Sequence, residues 1–412
     1  MLNSIQREAQ AYDTIYKGRT LVLKVSGAEI DGEDFPVLVS DIRFLTQKGV
    51  RIVLAFGGGD QISTHYGKPR EKIDGVAVTT LEVLTQGVLP AYAEIRAKLE
   101  YALPEGICIE PEALRCDLHD DTRFGLVGMP KEIVLPENDL SFVGFVGDSE
   151  GQRVNVNADD IAMQIVRQYR AQIEEIIFLT STGGIQDHNG QVVPLLTEKR
   201  IDKILRGQDD EITVDGGMLK KVREIRNALN VIAKVVMTKT SGLRDEIEHW
   251  MGSGTLSING AMLTGSPIRD IEKPIFGRIY EQNVALGIFR PRTSEEIDEL
   301  TAHHHMLRAG NSPLGGFSLI PKGAWIELST LWAGTIGNGL GQMLIDAAAS
   351  EAGDRKMYAL SRADDAIRAF ERNCNFHSLG KLSEALHPRP NDVPEPLFAY
   401  PGTGNPRLFI KK

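Results

Sequence analysis

Two glycine-rich loops, each following an apolar strand and opening a helix, are placed to hold phosphates. They are Phe56-Gly57-Gly58-Gly59-Asp60, after Arg51–Ala55, and Gly337-Asn338-Gly339-Leu340-Gly341, after a strand that ends at Leu331. Glycines let backbone N–H groups crowd an anion, and the helix behind them adds the positive end of its dipole. Such a loop can equally be a tight turn, so its neighbours decide. Around the first loop lie Lys24 at a strand end, Asn155-Val156-Asn157-Ala158-Asp159 at a helix start, and Gly216-Gly217-Met218-Leu219-Lys220-Lys221 at another. Phosphoryl transfer asks a protein for cations on the transferring group and an acid to fix them. Lys24, Lys221 and Asp159 supply both, although a lone lysine is usually a solvated side chain and Asp159 could simply cap its helix. Beside the second loop, Glu327 interrupts the apolar run Ala324–Leu331. A carboxylate there either faces solvent or works.

The elements that must carry these residues fall into two groups. From Leu21 to about Thr255, short β-branched runs (Leu21–Ser26, Arg51–Ala55, Ser141–Val146, Ile176–Thr180, Lys234–Thr238) alternate with helical stretches. That alternation predicts an α/β domain with an open, mostly parallel sheet and ligands at the carboxyl ends of its strands. Glycines and prolines between Ser257 and Gly277 predict a connecting segment. A second, smaller α/β unit follows, with a helix from Glu295, two strand-like runs (Met306–Arg308 into Gly315–Ile320, then Ala324–Leu331), a strand at Met357–Leu360, and helices over the 340–348 stripe and Asp364–Asn373. Ile5, Ala9, Tyr12 and Tyr16 give residues 1–17 helical spacing, ended by Gly18. The expected organisation is an N-terminal helix over 1–17, a first domain over 18–256, a linker over 257–285 and a second domain over 286–412.

With 412 residues, two or three domains are expected. A net charge of -10 argues against nucleic acid or an anionic membrane as partner. No apolar run approaches the roughly 18–20 residues that span a bilayer, and the N-terminus is unlike a signal peptide, so a cytoplasmic protein is expected. Cys108, Cys116 and Cys374 have no metal-site spacing and read as reduced and structural. Adjacent histidines on an extended segment point to opposite faces, so His303-His304-His305 does not predict a metal site either.

Residues 18–256 resemble the amino-acid kinase family, within it the acetylglutamate kinases and the kinase-like part of the acetylglutamate synthases, through the paired motifs Asn-Val-Asn-Ala-Asp and Gly-Gly-Met. The resemblance implies that Lys24 and Lys221 flank the transferring phosphoryl, that Asp159 organises them with Asn157 beside it, and that Gly58 and Gly59 donate backbone hydrogen bonds. ATP with Mg would serve as cofactor only if that site is active. Two positions depart from the family. Ser26 replaces a glycine, and Gly75-Val76-Ala77-Val78-Thr79 has Ala77 where an arginine would clamp a substrate carboxylate. Losing that guanidinium removes a charge-assisted contact of about 1.5–3 kcal/mol. The run Glu246 to Thr255, with Gly252 and Gly254, resembles the arginine-binding end of arginine-sensitive members, and the helix carrying Tyr12 resembles their interlacing helix. Glu246 would meet the guanidinium, and the glycines would free backbone carbonyls.

Residues 286–412 resemble the GNAT acetyltransferases through Gly339-Leu340-Gly341 and the late run Ala369 to Phe376, with Ile336 where Gln or Arg is usual. The resemblance implies acetyl-CoA held by Leu331, Gly337, Asn338, Gly339, Leu340 and Gly341. Acetyl transfer to an amine needs a base, an acid for the thiolate and oxyanion donors. Glu327 is the candidate base. Ser361 could protonate the thiolate or cap the next helix. A glutamate substrate would require cations, for which Arg290, Arg292 and Arg407 are candidates, each also readable as a surface arginine. Together the resemblances imply an acetylglutamate synthase acting on L-glutamate and acetyl-CoA, inhibited by L-arginine, and built as dimers assembled into a hexamer. The alternatives are an acetylglutamate kinase or bifunctional enzyme, and a non-catalytic arginine sensor.

Overall fold

The computed structural model describes residues 3–73, 76–249, 252–334, 339–361, 364–373, 376–381 and 406–411. The chain folds as two compact units, Tyr16–Met262, and Leu263–Lys412 together with Met1–Ile15.

The larger unit is built on an eight-stranded sheet in the order Leu195–Thr197, Thr255–Ile258, Lys234–Thr238, Ile173–Leu179, Thr20–Val25, Arg51–Phe56, Leu140–Val143 and Ile107–Cys108. Every neighbouring pair is parallel except Lys234–Thr238 with Thr255–Ile258. Its central strands are almost continuously apolar and buried, as a parallel sheet covered on both faces requires. One expected strand is corrected. Ser141–Val146 is not a single element: Leu140–Val143 stays in the sheet, while Val146–Ser149 joins Leu114–Leu118, Val127–Ile133 and Gln152–Val156 in a closed four-stranded barrel. Helix Ala158–Gln168 leaves that barrel and packs Ile161, Ala162, Ile165 and Val166 into the core. Asn157 starts it by accepting a hydrogen bond from the Asp159 N–H at 3.1 Å, and Asp159 and Asp160 lie at the positive dipole end.

The smaller unit carries a seven-stranded sheet ordered Leu263–Pro267, His304–Ala309, Ser312–Lys322, Trp325–Ala333, Lys356–Ser361, Arg407–Lys411 and Phe376–Lys381. All neighbours are antiparallel except Trp325–Ala333 with Lys356–Ser361. That parallel pairing runs from Trp325↔Lys356 to Leu328↔Ala359 and stops, although the strands continue to Ala333 and Ser361. The sheet therefore forks. On the other side, pairing with Ser312–Lys322 shifts register between Gly316 and Ser318, and Thr330 sits at φ 44°, a left-handed conformation rare for a β-branched residue. This bulge turns the strand just past the fork. Residues 257–285, expected as a linker, are folded. They contain the end of strand Thr255–Ile258, strand Leu263–Pro267 and helix Lys273–Ala285, and the two units divide at Met262. Helix Ser4–Tyr16 carries the expected N-terminal spacing, and its residues up to Ile15 belong to the smaller unit, where Glu8 approaches Arg278 at 3.9 Å.

Candidate functional sites

In the larger unit, the carboxyl ends of Thr20–Val25 and Arg51–Phe56 open into a cavity of about 260 Å³. It is lined by Lys24, Ser26, Gly57 to Gly59, Arg70, Lys72, Ala77, Asn155, Asn157 and Lys220, with Ile62, Val76, Val127 and Phe145 as apolar walls. Lys24 pairs with Asp159 at 2.8 Å. Burial, followed by repulsion from Lys24, pushes the Lys221 ammonium below the usual lysine range. Glu224, one helical turn from Lys220 and 3.8 Å from its ammonium, is pushed up to about 8 by burial and then by the Asp159 charge. The cavity thus holds a cation cluster neutralised only in part by Asp159, which is the electrostatics an anionic ligand needs.

The glycine loop has two separate causes. A Cβ on Gly58 would lie 2.5 Å from the Phe145 ring, so packing alone excludes a side chain there, whereas a Cβ on Gly59 would meet nothing within 4 Å. Gly59 starts helix Gly59–Tyr66 and leaves the approach to its N-terminus open. Asn157 lines the cavity but spends its side-chain oxygen on the helix cap. Gly75 lies outside the described residues. Ala77 pairs with Lys72 in a two-stranded hairpin at the cavity mouth. Two cations that the sequence reading passed over, Arg70 and Lys72, stand on that hairpin's first arm, because Gly67-Lys68-Pro69-Arg70-Glu71-Lys72 reads as a solvated loop.

Elsewhere in the larger unit, Glu246, Gly252 and Gly254 come together. The Glu246 carboxylate accepts the N–H groups of Ser253 at 2.8 Å and Gly254 at 3.0 Å. Gly252 has φ 59° and its Cβ would lie 2.3 Å from Glu246 Oε1, so only glycine fits. Burial raises the Glu246 carboxyl to about 7 despite those two donors, with Glu175 adding repulsion. Lys234, fully buried nearby, bonds Glu175 at 2.9 Å and the Tyr16 hydroxyl at 3.0 Å. Tyr12 belongs to the other compact unit, and Trp250 and Met251 lie outside the described residues.

In the smaller unit the fork gathers four polar side chains. Glu327 pairs in register with Tyr358 across the parallel strands, and the Tyr358 hydroxyl donates to Glu327 Oε2 at 3.3 Å. Burial and the adjacent carboxylate push that phenol above its usual range. Two residues along the strand, Ser329 accepts from Arg292 Nη2 at 3.0 Å. Arg292 Nη1 is buried without a partner, and burial, then Arg290, lower the guanidinium's proton affinity while Glu327 opposes them. The three candidate arginines are therefore unequal. Arg290 binds Glu296 at 2.5 Å, the acid of the capping box that starts helix Ser294–Ala302. Arg407 pairs with Glu371. Ser361 ends its strand opposite Arg407.

Leu331 follows the bulge, and Gly339, at φ 81°, caps helix Leu340–Ala352 with open space where a side chain would be. Gly341 lies in its first turn, and Gly337 and Asn338 lie outside the described residues. The bulge is held from behind: the Ser318 hydroxyl meets the Thr330 hydroxyl at 2.7 Å and His304 Nδ1 at 2.9 Å, and Trp332 Nε1 donates to His304 Nε2 at 3.1 Å. Burial drives His304 down to about 3, so it is neutral and structural. Cys108 and Cys116 are buried free thiols, and Cys374 lies outside the described residues. Among the described residues no cluster of metal-ligating side chains forms, and no helix is long and apolar enough to cross a membrane.

Residues 19–237 match the model of the amino acid kinase family, and the chain belongs to that family. An acetylglutamate kinase of Chloroflexus aggregans is 32% identical over 247 residues, covering 54% of this chain and 93% of that protein. One of Xanthomonas campestris is 28% identical over 266 residues, and the match spans 59% of each chain. The crystal structure of N-acetylglutamate synthase from Neisseria gonorrhoeae complexed with coenzyme A and L-arginine is similar over 98% of both chains, with TM-score 0.66 and 18% identity. The complex of that enzyme with coenzyme A and N-acetyl-glutamate covers 99% of this chain and 98% of that one, with TM-score 0.58 and 19% identity. Those likenesses establish the fold: an amino-acid kinase domain joined to a second α/β domain.

Proposed function

We propose that the protein is an N-acetylglutamate synthase that transfers the acetyl group of acetyl-CoA to the α-amine of L-glutamate, and that the reaction takes place at the forked strands of the smaller unit. One observation carries the reading: Glu327 stands one pair before the parallel pairing ends, oriented by Tyr358, two residues from Ser329, which holds the partly unpartnered guanidinium of Arg292. Glu327 takes a proton from the glutamate ammonium, the amine nitrogen attacks the thioester carbonyl, and the carbon–sulfur bond breaks. As the thiolate departs it takes up a proton, for which Ser361 at the strand end is the candidate from the sequence, and the adduct nitrogen gives up its second proton, which restores the donor and leaves the neutral amide. Backbone groups freed by the fork and the bulge meet the oxyanion, the Gly337–Gly341 loop receives the pyrophosphate, and Arg292 holds a glutamate carboxylate. The coenzyme A complexes of the fold relative support this reading.

Arginine binding at Glu246, Gly252 and Gly254 belongs to the same proposal, as do assembly into a homo-oligomer and a cytoplasmic location. The L-arginine complex of the relative supports the first. A second reading, acetylglutamate kinase activity in the larger unit, is favoured by the Lys24–Asp159 pair at the glycine loop. Incubation with L-glutamate and acetyl-CoA tests the first reading: free thiol should accumulate with the wild type and not with Glu327→Gln. No thiol release from the wild type would refute it. ADP release that depends on N-acetylglutamate and disappears in Lys24→Ala would establish the second.

A further inference from the structure

Of the three adjacent histidines, the middle one is built into a hydrogen-bond chain with a single direction. His304 is a register partner of Ser318, Ser318 of Ser329, and Gly316 of Trp332, so the side chains of His304, Ser318, Ser329 and Trp332 leave the sheet on one face. An indole N–H only donates, so the 3.1 Å bond from Trp332 Nε1 makes His304 Nε2 an acceptor. Burial keeps the imidazole neutral, and its one proton is then on Nδ1, which donates to the Ser318 hydroxyl at 2.9 Å. Ser318 donates its own proton to the Leu300 carbonyl at 3.1 Å, which leaves the Thr330 hydroxyl to donate to Ser318 at 2.7 Å. Phe276 covers the imidazole at 4.1 Å between ring centroids, and a Cβ on Gly316 would run into both His304 Nε2 and Trp332 Nε1.

The chain ends on the stretch of strand Trp325–Ala333 that the sheet does not hold. Parallel pairing stops at Leu328, and antiparallel pairing lapses after Ser329 and resumes at Trp332, so neither ladder gives Thr330 or Leu331 a register partner. Strand alternation would turn Thr330 away from the face of Ser318, and its φ of 44° brings the hydroxyl back to it. A β-branched residue keeps that conformation only where its surroundings impose it. A buried polar chain in which every hydrogen has an acceptor fixes one arrangement, which apolar packing would not. Ser329, which holds Arg292, immediately precedes the turn, and Glu327 lies on the same strand just before it.

We propose that His304 is a positioning residue for acetyl transfer: through Ser318 it holds Thr330 in the left-handed turn, and so fixes the unpaired backbone of Thr330 and Leu331 against the thioester carbonyl. This role rests on the synthase reading of the fork. His304 takes up no proton and touches no substrate. Its imidazole bridges Trp332 and Ser318, and its effect on the reaction is carried by backbone geometry.

Steady-state thiol release from acetyl-CoA and L-glutamate, by the full chain and its variants, tests it. Thr330→Val keeps the shape and loses the donor, and its kcat should fall about ten- to a hundredfold, the effect of misplacing a catalytic group by about 1 Å. The KM for glutamate should change by less than about threefold, because Ser329 still holds Arg292. Thr330→Ser retains the donor and should keep most of the turnover. Thr330→Gly separates conformation from chemistry: glycine adopts the left-handed turn without a hydroxyl, and its kcat should stay within about fivefold of the wild type. His304→Phe should lower kcat about tenfold in the wild-type chain and less than about twofold in the Thr330→Gly chain, since its influence passes through that residue. Thermal unfolding of each variant accompanies the rates, and if His304→Phe fails to fold, the three Thr330 variants decide. An unchanged kcat in Thr330→Val, a Thr330→Gly as slow as Thr330→Val, or additive losses in the double variant would overturn the role of His304 and leave the synthase reading standing. No thiol release from the wild type would overturn both.

Discussion

The cavity of the larger unit and the fork of the smaller one handle charge in opposite ways. The cavity concentrates cations around one glycine loop, with Lys24 held by Asp159 and with Lys72, Lys220 and Arg70 on its walls. The fork holds one carboxylate and one guanidinium, each tied to a neutral hydroxyl, Glu327 to Tyr358 and Arg292 to Ser329. A surplus of positive charge suits binding of an anion. A half-buried carboxylate bonded to a phenol suits proton transfer. Glycine opens a helix in each unit, at Gly59 and at Gly339, and under the proposed reading the difference in charge sets a holding site apart from a reacting one.

The largest effect expected from breaking this contrast is at Glu327. Replacing it with glutamine keeps the shape and the Tyr358 contact but removes the base, and the turnover number for acetyl transfer should fall by about 10²–10⁴. A fall below tenfold in steady-state thiol release would remove Glu327 from the chemistry. Next is Arg292→Ala, which should raise the KM for glutamate by roughly ten- to a hundredfold with a smaller change in the KM for acetyl-CoA. Arg407→Ala breaks the pair with Glu371 and should change either constant by less than about threefold, as expected of an exposed ion pair. If the two arginines exchanged these outcomes, the substrate carboxylate would be held on the Arg407–Lys411 side of the fork.

Glu246 sharpens the comparison within the larger unit, since its carboxylate is buried where the cavity's charges are open. Its folded value of about 7 lies above the 4.5 of a free glutamate, so between these pH values the native state binds more protons than the unfolded one. Stability must then fall as pH rises through that window, by up to roughly 3 kcal/mol from this group. Denaturant titrations from pH 4.5 to 8 should show the wild type losing that increment relative to Glu246→Gln. Parallel curves for the two proteins would contradict it. A guanidinium bound there would favour the carboxylate, so L-arginine binding should release protons below pH 7 and few above pH 8, read as buffer-dependent heats in calorimetry.

The sequence conveyed some of this and hid the rest for physical reasons. Four of the central strands were legible, and the fifth was read past its end at Val143, because strands buried on both faces must be continuously apolar, as Arg51–Phe56 and Ile173–Leu179 are. The four-stranded barrel was not, since Leu114–Leu118 and Val127–Ile133 mix exposed and buried positions without regular alternation. Leu263–Pro267 was taken for connection because its glycine and proline sit in a largely exposed strand that, among the described residues, pairs on one side with His304–Ala309. At the fork, Glu327 announced itself as a carboxylate in an apolar run, whereas nothing local singled out Tyr358 or Ser329 within their strands. Their roles depend on cross-strand register, which local pattern does not encode. Arg292 stood out from Arg290 only once the capping acid Glu296 was seen to claim the latter. Arg70 carried no signal at all, since its Pro-Gly-Lys surroundings describe solvent and its burial comes from the folded hairpin.

The central claim, that the fork is where chemistry occurs, is tested most directly by following thiol and ADP in one sample of full-length protein supplied with L-glutamate, acetyl-CoA and Mg-ATP. Thiol should appear in equal amount to N-acetylglutamate from the start of the reaction, and Glu327→Gln should abolish both while leaving any ADP signal from added N-acetylglutamate as it was. ADP formation without thiol release in the wild type would contradict the account and move the active site to the larger unit.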